Sequence, residues 1–494
     1  MYAIGYDIGS SSIKVALIES TTGKKIRIVQ EPTQEMEILA LKGNWAEQHP
    51  DTWWKHICTA TQNIIEESGI DKKLITSVGI AYQMHGLVLI NKAGNVLRNA
   101  IIWCDSRAIE IGENAYHSLG HSWCASHLLN APGNFTASKL KWIKEHEPAV
   151  YKEIYKYLLP GDYIAYKLTG KCNTTINGLT EGTLWDYSSN EVATKLLDHY
   201  NIDQKLTPEL TQNFTNQGSI TELAAIKTGL PTSAIVRYRA GDQPNNALSL
   251  NIFKPGEVAA TAGTSGVIYA VTAQRDFKEI SKVNQFAHVN YTPEKPIVGR
   301  LLNINGCGIQ YRWLKNTFNE ISYQEMNEQA ALVPVGSEGL IAIPFGNGAE
   351  RMLNNKNIGT QFSNINLNIH AKHHMYRAAL EGIAFSFVYG MGILKEDNTE
   401  VSVIRAGNDN LFRSEIFALT VATLIGQEIE IYDTTGAIGA ARATIITPDN
   451  YKQFSKIIKK NDHIITYKPL QEDQAYRHAY DAWKETLEHK LKSL

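Results

Sequence analysis

Two short runs combine glycine with hydroxyl residues: Asp7-Ile8-Gly9-Ser10-Ser11-Ser12 and Thr261-Ala262-Gly263-Thr264-Ser265-Gly266. Tyr2, Ile4 and Tyr6 alternate before the first, and Ile13, Val15 and Leu17 follow it. Val258 and Ala260 precede the second, with Val267, Tyr269 and Val271 after it. Alternation on both sides of a tight turn reads as a hairpin. Such turns aim several backbone N–H groups and hydroxyls at one point, an anion nest suited to polyphosphate. One such turn is compatible with an ordinary hairpin. Two imply one nucleotide held between two similar halves, with Gly9, Ser10, Ser11, Gly263, Thr264 and Ser265 around its phosphates.

Asp7 stands where the first strand meets its turn. A carboxylate there repels phosphate, so a cation belongs between them, and Mg²⁺ with most of its waters suits that place. The alternative is an aspartate that caps the turn. Asp242, in Ala240-Gly241-Asp242-Gln243, follows a strand-like stretch at Ala234-Ile235-Val236. Strand-end loops of α/β sheets collect functional groups. A carboxylate placed there accepts the proton of a hydroxyl attacking a γ-phosphoryl group. It also reads as a helix N-cap, and the two roles are compatible.

Gln83-Met84-His85-Gly86 ends another buried strand and offers neutral hydrogen-bonding groups to a polyol or sugar. Trp103-Cys104-Asp105-Ser106-Arg107 joins an apolar ring to polar groups that suit sugar hydroxyls, or to a structural Asp105–Arg107 pair. Arg405-Ala406-Gly407-Asn408 and the small-residue run Gly436 to Ala443 are candidates for the nucleoside end. In the latter, close approach of a base or ribose and tight helix packing are equally good explanations. No Gly-x-x-x-x-Gly-Lys-Ser/Thr loop, three-glycine dinucleotide fingerprint or hydrolase nucleophile elbow is present.

The elements needed to position these groups alternate along the chain. Helical patterns cover Trp45 to Ser68 beyond the proline, Ser138 to His146, Asn245 to Leu250 and Tyr476 to Leu491. Met375, Ala379, Ile383 and Phe387 recur at four-residue spacing, which predicts a long helix with a buried face. Short strands are expected at Val78-Gly79-Ile80-Ala81, Leu87 to Ile90, Ala100 to Trp103 and Val401 to Ile404. Lys254-Pro255-Gly256 is the punctuation between halves. Two α/β domains, 1–252 and 253–494, are therefore expected around a central cleft.

The 494 residues carry 48 Lys and Arg against 50 Asp and Glu, a formal charge of −2. With no long charge run, nothing favours nucleic acid or a membrane surface, and a small molecule is the easier partner. Five scattered cysteines, none in Cys-x-x-Cys spacing, point to reduced thiols. No apolar segment is expected to approach the ~18 residues that span a bilayer, and no signal peptide is read at the N-terminus. Cytoplasm is the default expectation.

These motifs, in this order from Met1 to about Ala443, resemble the FGGY family of carbohydrate kinases, built on the actin/Hsp70-like (ribonuclease H-like) ATPase core. Asp7 to Ser12 and Gly263-Thr264-Ser265 are similar to the family's two phosphate turns, and Asp242 falls at its catalytic aspartate. Ala379-Leu380-Glu381-Gly382 and Gly436 to Ala443 match its C-terminal signature. Gln83-Met84-His85-Gly86 with Ile102 to Arg107 resembles the bacterial xylulokinase branch, whereas glycerol kinases carry Arg-Glu in place of Met84-His85.

The resemblance implies ATP-dependent, Mg²⁺-linked phosphorylation of a ketose, D-xylulose first. Asp242 would be the base and Asp7 the metal-linked carboxylate. Gln83, Met84, His85, Trp103, Asp105 and Gln243 would meet the sugar, and Gly407, Asn408 and Gly436 the nucleotide. A homodimer is implied by analogy alone. The chain departs from the branch in two places. The glycine-rich adenine loop is reduced to Ala406-Gly407-Asn408-Asp409-Asn410, and Gln243 stands where many relatives have Asn.

Overall fold

The computed structural model describes residues 1–276, 280–447 and 450–493. A six-stranded sheet organises the first half. Strand β1 (Tyr2–Ile8) pairs antiparallel with β2 (Ile13–Glu19), which pairs antiparallel with β3 (Lys25–Glu31). On its other side β1 runs parallel to β4 (Ile75–Tyr82), and β4 runs parallel to β5 (Ile235–Gly241). Strands β1 and β4 are buried along nearly their whole length, as strands covered on both faces must be. The outer strand β3 places Lys25, Arg27 and Glu31 along its length, which blunts it against further pairing.

The second half repeats this plan in a seven-stranded sheet. Here β6 (Glu257–Ala262) forms the hairpin with β7 (Gly266–Thr272), and β7 pairs with β8 (Val298–Ile304), both antiparallel. Parallel strands β9 (Val403–Gly407) and β10 (Ile429–Tyr432) complete the core. The order β3-β2-β1-β4-β5 thus recurs as β8-β7-β6-β9-β10, with the same strand senses. Both glycine–hydroxyl runs are the first hairpin turn of their sheet, closed by the pairs Ile8–Ile13 and Ala262–Gly266. The two turns are structural equivalents.

Five helices bear on the site. Helix α1 (Pro50–Ser68) starts at its proline, after a His49 side-chain cap, and ends at left-handed Gly69. Helix α2 (Ile176–Glu181) bridges the halves: Asn177 donates to the carbonyls of Ala287 and His288, and Thr180 Oγ1 accepts from Ala287 N. Helix α3 (Asp242–Ser249) leaves β5 without a loop. Helix α4 (Lys372–Glu396) is the expected long helix. Contrary to the sequence expectation, it is long and apolar enough to cross a membrane, but 78% of that window is buried in the protein, as in a core helix.

Helix α5 (Gly436–Ala443) follows β10 yet packs on the first sheet. A Cβ added to Gly5 would lie 2.1 Å from Ala437 O, and one on Gly79 would lie 2.0 Å from Ala440 O. The small residues of this run are therefore explained by helix–sheet packing. The five cysteines are all free.

Candidate active site

The C-terminal ends of β1, β4 and β5 lie side by side, because Asp7 is registered with Ala81 and Ala240, and Tyr82 with Ile8 and Gly241. This brings together Asp7, the turn Gln83 to Gly86, and Asp242. Gly241 is the N-cap of α3 and Asp242 its first residue, a small correction to the N-cap reading. Burial pushes the Asp242 carboxyl up to about 7, and the charge of Asp7 adds to this, against hydrogen bonds from Gln243 and from Asp242's own backbone. Burial also raises Asp7, with Lys14 opposing it. Neither Asp7 oxygen accepts a hydrogen bond from a described residue. A Cβ on Gly436 would stand 2.5 Å from Asp7 Oδ2, so glycine lets the start of α5 reach this carboxylate.

His85 forms the wall beside Asp242. Its backbone is left-handed, φ 60°, an uncommon state for a non-glycine residue that needs support around it. Burial, assisted by the positive charge of Lys139, lowers the imidazole to about 3, so the ring is neutral. Nδ1 lies 2.8 Å from the carbonyl oxygen of Glu181. A carbonyl only accepts, so Nδ1 carries the proton and Nε2 is left as an acceptor. The ring packs between Phe135 and Phe286, at centroid distances of 4.7 and 5.4 Å. Gln83 Oε1 is buried and has no hydrogen-bond partner. Gly86 has no room for a side chain, since a Cβ would meet Pro160 Cγ at 2.5 Å.

Trp103 and Asp105 part company. Trp103 is 54% exposed, and its Nε1 donates to Ser10 Oγ at 3.4 Å, over the first glycine–hydroxyl turn. Asp105 is fully buried, and Arg107 and the Ala46 N–H occupy both of its oxygens. Arg107 also meets Glu47 at 2.7 Å. This geometry corresponds to the ion-pair alternative.

Two residues escaped the sequence reading. Glu181 ends α2 with its side chain against Gly241, where an added Cβ would meet Oε2 at 2.4 Å. Burial first, then the charge of Asp242, pushes its carboxyl well above the usual range. No motif marks it. Lys139 is fully buried in the helix Thr136–His146, and its Nζ donates to His85 O at 2.8 Å and Ile102 O at 2.9 Å. Burial lowers its ammonium to about 7. A detectable signal existed: Lys139 lies three and four residues before Trp142 and Ile143, on the face they bury. Replacing it as Lys139→Met leaves His85 O without a donor and Ile102 O with only the Asp105 N–H. A loss of about 2 kcal/mol or more is expected, read as a lower denaturation midpoint.

In the second half, Gly263 and Thr264 form one end of a cavity of about 960 Å³. Helices Gly308–Thr317 and Tyr323–Ala331 supply Tyr311, Arg312, Tyr323, Gln324 and Asn327 to its lining. Asp409, Asn410, Leu411 and Arg413 line it from beyond β9. Gly407, Asn408 and Ser265 are not part of that lining, and Gly436 lies at Asp7 instead. The helix contributions had no recognisable motif.

A profile of the N-terminal domain of the FGGY family of carbohydrate kinases matches residues 2–249. The chain belongs to the FGGY family of carbohydrate kinases. A xylulose kinase of Bacillus subtilis (strain 168) is 27% identical over 99% of this chain and 97% of its own. Two solved FGGY-type structures share the fold. A xylulose kinase from Rhodospirillum rubrum gives a TM-score of 0.87 at 22% identity, with complete coverage of both chains. A Plasmodium falciparum glycerol kinase with ADP gives 0.89 at 18% identity, covering 99% of this chain and 98% of its own. The chain is a carbohydrate kinase of actin/Hsp70-like ATPase fold, and kinases of this family use ATP, generally with Mg²⁺.

Proposed function

We propose that this FGGY kinase transfers the γ-phosphoryl group of ATP to a ketose, D-xylulose being the substrate and D-xylulose 5-phosphate and ADP the products. The observation that carries this reading is Asp242, a carboxylate held near neutral proton affinity between Asp7 and the His85 turn. In this reading the terminal hydroxyl of the sugar lies against Asp242, which takes its proton as the new P–O bond forms. His85 Nε2 accepts from a second hydroxyl, Gln83 and the Met84 backbone complete the wall, and Gln243 orients Asp242. The buried Asp105–Arg107 pair acts by holding the turn that carries Trp103.

The ATP phosphates are assigned to the turns at Gly9, Ser10 and Ser11 and at Gly263, Thr264 and Ser265, with the nucleoside in the cavity beyond Thr264. Asp7 suits Mg²⁺: among the described residues nothing donates a hydrogen bond to its carboxylate, and its charge is felt at Asp242. A bound Mg²⁺ would neutralise phosphate charge there, held by Asp7 through water. Among the described residues no group of three or more His, Cys, Asp or Glu side chains could hold a metal directly, in keeping with a water-rich site.

The proposed division assigns 1–252 to the sugar and 253–494 to ATP, with the two sheets on either side of the boundary. Helix α5 is the exception, returning from the second part to the first sheet. Closure of the cleft would exclude water and limit ATP hydrolysis.

ADP release measured over ketoses, pentitols, glycerol and gluconate, with Mg²⁺ present or chelated, tests the reading. D-xylulose is expected to give the highest kcat/KM, and only with Mg²⁺. Preference for glycerol or gluconate would replace the substrate; sugar-independent ADP release would remove the kinase reading itself.

A further inference from the structure

The sugar wall has a contributor from the second half of the chain. Phe286, packed on the His85 ring, lies in the strand Asn284–Ala287. Two residues earlier, and so on the same face, Asn284 accepts a hydrogen bond from Arg351 Nη1. The same guanidinium donates from Nε to Ser281 O at 2.7 Å and from Nη2 to Ile280 O at 3.0 Å. Three of its five N–H groups are thereby used, and one remains on each terminal nitrogen.

No carboxylate pairs with Arg351 among the described residues. Its neighbour Glu350 is turned away, accepting from the backbone of Asn305 and Gly306. Arg351 is half-buried, burial lowers its proton affinity to about 10, and its charge is felt at both His85 and Tyr116. A half-buried guanidinium with two spare N–H groups and no carboxylate partner is suited to a ligand that supplies lone pairs.

The groups succeed one another through neighbour-to-neighbour contacts. Asp242 follows Gly241, which touches Met84; His85 is next, then Phe286, then the strand that holds Arg351. We propose that Arg351 is a specificity-determining residue that binds the keto end of the sugar, donating to the C2 carbonyl and the C1 hydroxyl. The inference rests on the ketose reading above and adds a consequence. Anchoring the carbonyl end at Arg351 leaves the opposite terminal hydroxyl, not the C1 hydroxyl, to meet Asp242. A carbonyl beside a hydroxyl presents a planar sp² acceptor next to a second oxygen, whereas the pentitols formed on reduction offer two hydroxyl oxygens that accept without that in-plane geometry.

Arg351→Gln and Arg351→Lys test this, each compared with wild type on D-xylulose and on the two epimeric pentitols made by reducing its carbonyl. Lys keeps the charge but loses the planar fork. Thermal unfolding establishes that each variant is folded. In both, KM for the ketose is expected to rise about tenfold or more, as for loss of a charged hydrogen bond. The KM for ATP should stay within about threefold of wild type, as expected for a site remote from that pocket. Preference for the ketose over the pentitols should fall, because the ketose loses more affinity than either pentitol. An unchanged ketose KM, equal weakening of ketose and pentitols, or a parallel rise in the KM for ATP would overturn the assignment alone. Wild-type protein that releases no ADP with any ketose would overturn the functional reading and, with it, this role for Arg351.

Discussion

Asp242→Asn is expected to lower kcat by about 10²–10⁴-fold, the range for loss of a positioned base, with sugar affinity little changed. The amide fills the same space at the start of α3 but cannot take a proton from the attacking hydroxyl. With wild-type protein, kcat/KM should rise with pH through about 7, because burial and the charge of Asp7 hold the proton on Asp242 below that point. The same shift makes a stability prediction. The folded state binds this proton more tightly than the unfolded chain does. The stabilisation it gives is complete below the ordinary carboxylate range and is lost as pH rises through about 7. The uncharged amide has no such dependence. Asp242→Asn should therefore unfold at a higher temperature than wild type at about pH 8, with the difference closing near pH 4. Steady-state ADP release and thermal unfolding across pH check both parts. Wild-type turnover in the variant would sink the base assignment, and lower stability at alkaline pH would sink the electrostatic account.

Gly5→Val and Gly79→Val are expected to destabilise the protein by about 4 kcal/mol or more, or to prevent folding. In most overpacked cores a neighbouring side chain shifts and relieves part of the strain. Here the nearest atoms are Ala437 O and Ala441 N for Gly5, and Ala440 O for Gly79, all backbone of one helix. That helix cannot retreat without opening its contact with β1, β2 and β4 together. Its retreat would also carry Gly436 away from Asp7, so any folded variant should lose activity as well. Gly43→Ala is the control, since an added Cβ there meets nothing within 4 Å. Denaturant unfolding and soluble yield separate the cases; a control-like result for Gly79→Val would refute the packing account.

Much of the site was legible because it lies at strand ends whose residues are contiguous in the chain. Each hairpin turn carries its glycine and hydroxyls within six residues, and each flanking strand announces itself by alternation. Gln83 to Gly86 and Asp242 could be placed because a buried strand leads directly into each. The long helix α4 was legible from its four-residue spacing. Element ends moved by a few residues, as at the run Asn245 to Leu250, whose helix spans Asp242–Ser249.

Other features are pairings between distant segments, for which local pattern carries no signal. Lys139 binds the His85 and Ile102 carbonyls, Glu181 presses on Gly241, and Arg351 binds Asn284 in the strand that carries Phe286. The small-residue helix admitted two explanations until its backbone was found against Gly5 and Gly79.

By itself, then, the sequence determined two strand-flanked glycine–hydroxyl turns, a carboxylate at each of two strand ends, and membership of a sugar-kinase family. Those are short-range properties, set by side-chain alternation and turn chemistry. Only the tertiary structure decided which carboxylates face one another, that Asp105 is held by Arg107, and that Phe286 completes the wall around His85. The physical reason is that proton affinity and pocket shape depend on burial and on charges a few ångströms away in space, which parallel strand register and helix docking create.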